Sequence, residues 1–201
     1  MTGQLQPGEF IRIDQVARDL SVSITPAREG LLALRGEGFV QLEPRRGFVV
    51  APLSTQDIRD MFQAQSLLAG ELAERAAARI DQAGIVQLGE LQSGLTTAAA
   101  NGELARMEAL NHAFHRLINR SADAPKIAWL LSVGSRYVPR RFYAAISGWP
   151  DASIRDHSAI MAALADRDPD AARSSMVRHV QHAGELLATH LEQLAAGPVP
   201  G

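Results

Sequence analysis

The feature that most constrains this chain is a change of texture at Ala51-Pro52-Leu53-Ser54. Before it, short helical patterns mix with short β-type runs under Gly and Pro punctuation. After it, alanine-rich helical periodicity continues to about residue 196. Pro52 disfavours helix in the residue before it, and Ser54 or Thr55 can cap a helix that begins at Gln56. Two domains are expected, 1–52 and 53–196, with 197–201 as a flexible tail. The 201 residues, 46% of them hydrophobic, suffice for two small cores.

Within 1–52 the order of elements is specific. Ile13 to Leu20 reads as a helix with Val16, Ala17 and Leu20 inward, and Ser21-Val22-Ser23 as a turn. Thr25-Pro26 opens a second helix, with Thr25 as cap and Pro26 at the first helical position. That helix runs to Gly36 or Glu37 with an apolar stripe through Leu31, Leu32 and Leu34. Phe39-Val40-Gln41-Leu42 and Gly47-Phe48-Val49-Val50 read as strands around Glu43-Pro44-Arg45-Arg46. Helix, turn, helix and hairpin is the order of a winged helix-turn-helix, whose second helix enters the DNA major groove. Thr25, Pro26 and Arg28 fall at its DNA-facing end, Thr25 suited to phosphate and Arg28 to bidentate contact with guanine. Arg46 and Gly47 fall at the wing tip, within reach of the minor groove or a phosphate. The competing assignment for Arg28 is an ion pair with Glu29 or another carboxylate; Arg35 and Arg45 read as solvated.

The rest parses as an antiparallel bundle of about six helices, near 55–80, 83–100, 103–121, 125–147, 152–166 and 168–196. The breaks have causes: Asn101-Gly102 is a turn pair, Pro125 and Pro150 stand at or near helix starts, and Asp168 caps a helix with Pro169 at its first position. The expected fold class is mainly α, a winged helix-turn-helix followed by an all-α bundle.

Cysteine is absent, so disulfides and thiolate metal sites are excluded, and any metal must be held by His, carboxylate or amide oxygen. Helical phase then sorts most of the six histidines. Asn111 and His115, four apart, lie beside the stripe Met107, Leu110, Phe114, Leu117 and Ile118, while His112 falls with Glu108 and Arg116 on the polar side. His157 sits among Ile154, Ile160, Met161 and Leu164. His179 lies three from Met176 and four from Ala183; His182 groups outward with Arg178 and Glu185, and phase does not place His190. Phase thus selects Asn111, His115, His157 and His179. Three neutral imidazoles and an amide oxygen suit Zn²⁺, with Ni²⁺ or Mn²⁺ as alternatives. The competing assignment for each histidine is a core residue satisfied by one hydrogen bond. Tyr137, Arg140, Arg141 and Tyr143 form a second polar cluster, able to bind an effector carboxylate or to lie as ordinary helix-surface groups.

Ser23-Ile24-Thr25-Pro26-Ala27-Arg28-Glu29-Gly30-Leu31 resembles the recognition-helix signature of the GntR family of bacterial regulators. Gly3-Gln4-Leu5-Gln6-Pro7-Gly8 before it, and Gly36 to Val40 and Arg45 to Val50 after it, fit the same family. Asn111-His112-Ala113-Phe114-His115, Asp156 to Ile160, Asp166 to Ala172 and Met176 to His179 resemble the FCD domain of the FadR subgroup. The resemblance implies DNA binding as a homodimer on a palindromic operator. It also implies a metal at Asn111, His115, His157 and His179, and a small carboxylate effector bound near it. Three departures stand out. The family's first winged-helix helix has no counterpart before Gly3. Ile24 stands where many members have arginine. Gln65 and Ala69 stand where the first FCD helix often carries Arg and Glu.

The net charge of −2 argues against indiscriminate polyanion binding, yet a few arginines on one surface, doubled in a dimer, suffice for DNA. Lys126 is the only lysine, a bias that GC-rich coding also explains. No apolar run approaches a membrane span and the N-terminus has no secretory pattern, so a cytoplasmic location is expected. The expected function is a non-enzymatic, effector-responsive DNA-binding regulator. The alternatives are a metal-dependent hydrolase on a helical bundle, which lacks a His-Glu-x-x-His motif, and a ligand-free architectural module, which has no use for the histidine set.

Overall fold

The computed structural model describes Leu5, residues 7–137 and residues 146–196. The chain divides into two compact units, Met1–Ser54 and Thr55–Gly201.

The first unit comprises β1 (Phe10–Ile11), α1 (Ile13–Asp19), α2 (Ile24–Gly36), β2 (Val40–Glu43) and β3 (Gly47–Val50). The strands form an antiparallel sheet of order β1-β3-β2. Ile11, Leu31, Val40 and Phe48 close its core. β1 was not foreseen, because two residues cannot display an alternation. Two other expectations are corrected. α2 starts two residues earlier than its Pro suggests: Ser23, with extended backbone, is the N-cap, so Thr25 is inside the helix. Pro26 occupies the third helical position, where its missing N–H is still a first-turn group without an intrahelical acceptor. Leu20 is 65% exposed, because α1 ends at Asp19 and its phase stops there. At the hairpin, the Arg46 amide donates to the Glu43 carbonyl at 3.2 Å and Arg45 takes a φ of 66°. Pro at the second turn position and a positive φ at the third follow the type II pattern.

The second unit contains six α-helices among its described residues: α3 (Thr55–Arg79), α4 (Gln82–Ala100), α5 (Leu104–Ser121), α6 (Pro125–Gly134), α7 (Trp149–Ala165) and α8 (Pro169–Ala196), with a 3-10 turn at Ser135–Tyr137. Leu72, Leu88, Phe114, Ile118, Ile160, Leu164 and Met176 pack one core cluster. Ile58, Phe62, Leu95, Met107, Trp149 and Leu187 pack the other. α3 and α8 approach closely: a Cβ on Gly184 would stand 2.5 Å from Phe62 Cβ. Arg173 on α8 also pairs with Glu71, at 3.0 Å, and with Glu74 on α3.

The expected helix 125–147 is corrected. α6 stops at Gly134, whose carbonyl accepts a hydrogen bond from Gln65 Nε2 at 3.4 Å. α7 starts at Trp149, three residues earlier than expected, after Gly148 in the left-handed region (φ 80°). Arg140, Arg141 and Tyr143 lie outside the described residues. The α4–α5 turn also needs a positive φ, 68° at Gly102, where a Cβ would meet nothing within 4 Å. Gly102→Ala therefore tests backbone conformation without a clash. It is expected to cost about 1 kcal/mol and lower the melting midpoint by about 2–4 °C. A thermal melt that matches wild type within a degree refutes the assignment.

Candidate metal centre

His115 comes from α5, His157 from α7 and His179 from α8. One ligand-capable nitrogen from each lies within 4.8 Å of the other two. His157 is fully buried and His179 nearly so; His115 is half-buried. Phe114 stacks flat on His157, centroids 4.0 Å apart and planes 6° apart, which fixes that ring's plane. The His115 and His179 rings stack at 5.0 Å.

Hydrogen bonds set which nitrogen of each ring is free. Gln92 Nε2 donates to the Ile154 carbonyl at 3.1 Å, so its Oε1 faces His157 Nδ1 at 2.9 Å and must accept. His157 Nδ1 therefore carries the proton, and Nε2 keeps its lone pair for the centre. His179 Nδ1 faces the Asp156 carboxylate at 3.4 Å and donates to it, leaving Nε2 for the centre, 3.1 Å from His115 Nε2. Asn111 joins through Ser153, whose hydroxyl lies 3.4 Å from Asn111 Oδ1 and 3.5 Å from His157 Nε2. One hydroxyl proton cannot satisfy both acceptors, and both contacts are long.

The electrostatics favour neutral imidazoles. Burial, followed by repulsion from His179 and His112, pushes His115 down to about 3. Burial, with His179 and His115 nearby, holds His157 well below its ordinary value. Both rings thus stay neutral at pH 7 and present lone pairs to a cation without first losing a proton. Asp156 feels burial pushing it up, but hydrogen bonds from His179 and His182 outweigh that, and its carboxyl lies below the usual range. His182, outward as phase suggested, reaches the same Asp156 oxygen at 3.1 Å.

A cavity of about 1180 Å³ opens on this centre; Asn111, His115, His179, Gln65, Arg116 and Arg120 are among its lining. Gln92, Ser153, Asp156 and the two arginines were not singled out by sequence. In the first unit, Thr25, Pro26 and Arg28 are exposed on α2 while Ala27 and Leu31 behind them are buried. Among the described residues Arg28 has no ion-pair partner, so pairing with Glu29 is not seen. Arg46 lies 4.8 Å over the Phe10 ring of β1 and 3.5 Å from Glu43 of the wing hairpin; Gly47 opens β3.

Residues 60–182 match the model of the FCD domain, and residues 1–50 match that of bacterial regulatory proteins of the gntR family. The chain is a GntR-family transcriptional regulator. Its relatives include the HTH-type transcriptional repressor RspR of Escherichia coli K12, 28% identical over 184 residues, covering 90% of this chain and 80% of that protein. The Nta operon transcriptional regulator of Aminobacter aminovorans is also 28% identical, over 90% of this chain and 86% of its own. Among solved structures, E. coli McbR/YncC superposes with a TM-score of 0.72 at 21% identity, covering 95% and 92% of the two chains. A GntR family member from Pseudomonas syringae pv. tomato gives 0.58 at 22% identity, covering 98% and 83%. This regulator therefore binds DNA, and the hydrolase alternative is set aside because the family and its relatives are regulators, not enzymes. No helix among its described residues is long and apolar enough to cross a membrane.

Proposed function

We propose that the operator affinity of this regulator is set by a small organic acid bound beside a divalent metal in the helical domain. The observation that carries this is the convergence of His115, His157 and His179, each from a different helix, within 4.8 Å. The donor set fits an ion of the Zn²⁺ type, with Ni²⁺ or Mn²⁺ as alternatives, since neutral imidazole nitrogens are favoured ligands of these borderline ions. Asn111 is the fourth candidate ligand. With no carboxylate among these four, a bound ion would keep its positive charge at the ligand shell and so attract an anionic effector. Arg116 and Arg120 line the same cavity, with Glu108 and Asp123, and could pair with an effector carboxylate.

Two chains pair and present two winged helices to a palindromic operator. Effector binding alters packing among α5, α7 and α8 and thereby shifts operator affinity, with a coupling of about 1–3 kcal/mol. Gel shifts with purified operator, with and without a panel of mono- and dicarboxylates, test this. A fivefold or larger affinity change with one acid is expected from that coupling; unchanged affinity across the panel defeats it. Arg28→Ala is expected to weaken operator binding by about 1–3 kcal/mol and relax the base preference at one position.

Gln92 is expected to position His157. Gln92→Leu removes the acceptor at Nδ1, freeing the ring to change tautomer, and should weaken metal affinity about 10–100-fold. Gln92→Glu restores an acceptor and should rescue it. Competition titration with a chelating dye reads both variants; equal affinities for Leu and Gln rule out the positioning role.

A further inference from the structure

α2 carries an unusual residue at its DNA-facing end. Ile24 is the first helical residue and is 53% exposed. Arg28 follows at i+4 and Leu32, 44% exposed, at i+8, so the three fall along one side of the helix. The buried face belongs to Ala27 and Leu31, and Ile24 is not part of the unit's core cluster. With about half its surface in water, this β-branched apolar side chain beside Thr25 and Arg28 adds nothing to the core cluster.

We propose that Ile24 reads a thymine methyl group in the major groove, making it a specificity-determining residue of the operator contact. This rests on the operator-binding reading above. In a helix-turn-helix the first residues of the second helix reach the base edges, and thymine alone presents an apolar C5 methyl there. An isoleucine has no donor or acceptor, so it cannot read a guanine or an adenine by hydrogen bonding. It can only bury apolar surface, and the thymine methyl is the apolar surface the groove offers. Arg28, one turn on, would then address a neighbouring guanine. The pair predicts a half-site in which a thymine lies next to the base that Arg28 contacts.

The test uses the full chain. Binding sites are selected from random duplex DNA, and each thymine of the selected site is then replaced in turn by deoxyuridine, which lacks only the methyl. Wild type is expected to lose about fourfold in affinity for each half-site substituted at one particular thymine, the loss associated with one buried methyl. Ile24→Ala should show no further loss at that thymine while keeping the wild-type melting curve. Ile24→Arg, selected afresh, should shift preference there from thymine to guanine. Wild-type indifference to deoxyuridine at every thymine overturns the proposal, as does an equal loss in Ile24→Ala. Failure of wild type to enrich any sequence is the separate result that sinks the operator reading itself, and this inference with it.

Discussion

Replacing His115 and His179 together with Ala is expected to strip the purified protein of its metal. The two residues hold facing Nε2 atoms 3.1 Å apart, and His157 with Asn111 alone gives only two donors. Elemental analysis should find stoichiometric metal in wild type and only background in the double variant. The same experiment has a stability arm. A ligand at a thousand times its dissociation constant stabilises by about 4 kcal/mol, which for a chain of this size is about 8–16 °C in melting midpoint. EDTA should remove that increment from wild type and leave the double variant unchanged. Full metal retention by the double variant would falsify the centre.

The second large effect concerns the α3–α8 contact. Gly184→Ala places a methyl 2.5 Å from both Phe62 Cβ and Phe62 Cγ. Phe62 Cβ is fixed to the α3 backbone, so no rotamer change relieves the overlap and the helices must part. A cost of about 3 kcal/mol is expected, lowering the bundle's melting midpoint by about 6–12 °C. Phe62→Ala alone leaves a cavity and costs about 3–5 kcal/mol. The double variant should fall short of the sum by about 0.5–3 kcal/mol, because Phe62→Ala removes the Cγ and Cδ1 overlaps and the added methyl refills part of the cavity, while the Cβ overlap remains. Strict additivity in that cycle, or a wild-type melt for Gly184→Ala, would show that the two groups do not touch.

Much of this was legible because period and punctuation are local. The stripe Met176, Val180, Ala183 and Leu187 turned His179 inward, and Asn101-Gly102 marked a turn, without knowledge of any partner. What escaped depends on partners. Gln65 reaches the last α6 carbonyl from across the bundle, a partner that nothing within 125–147 could announce. β1 gains its identity only by pairing with β3. The second layer of the metal centre left a faint signal. Gln92 lies four from Leu88 and three from Leu95, and Ser153 lies four from His157 and seven from Ile160. A polar residue inside an apolar stripe marks a group with a buried partner. Asp156 gave no such sign, since it is partly solvated and its role comes only from the ring nitrogens of α8.

The three imidazoles are donated by three different helices, with His115 and His179 64 positions apart in the chain. An ion shared by them loses its full donor set when α8 parts from α5, since neither helix supplies all three nitrogens. The off-rate of metal to a chelator in excess is therefore a clock for breathing of the bundle. A bound acid that slows this clock and loosens the operator would show, in one trace, which helices carry the signal.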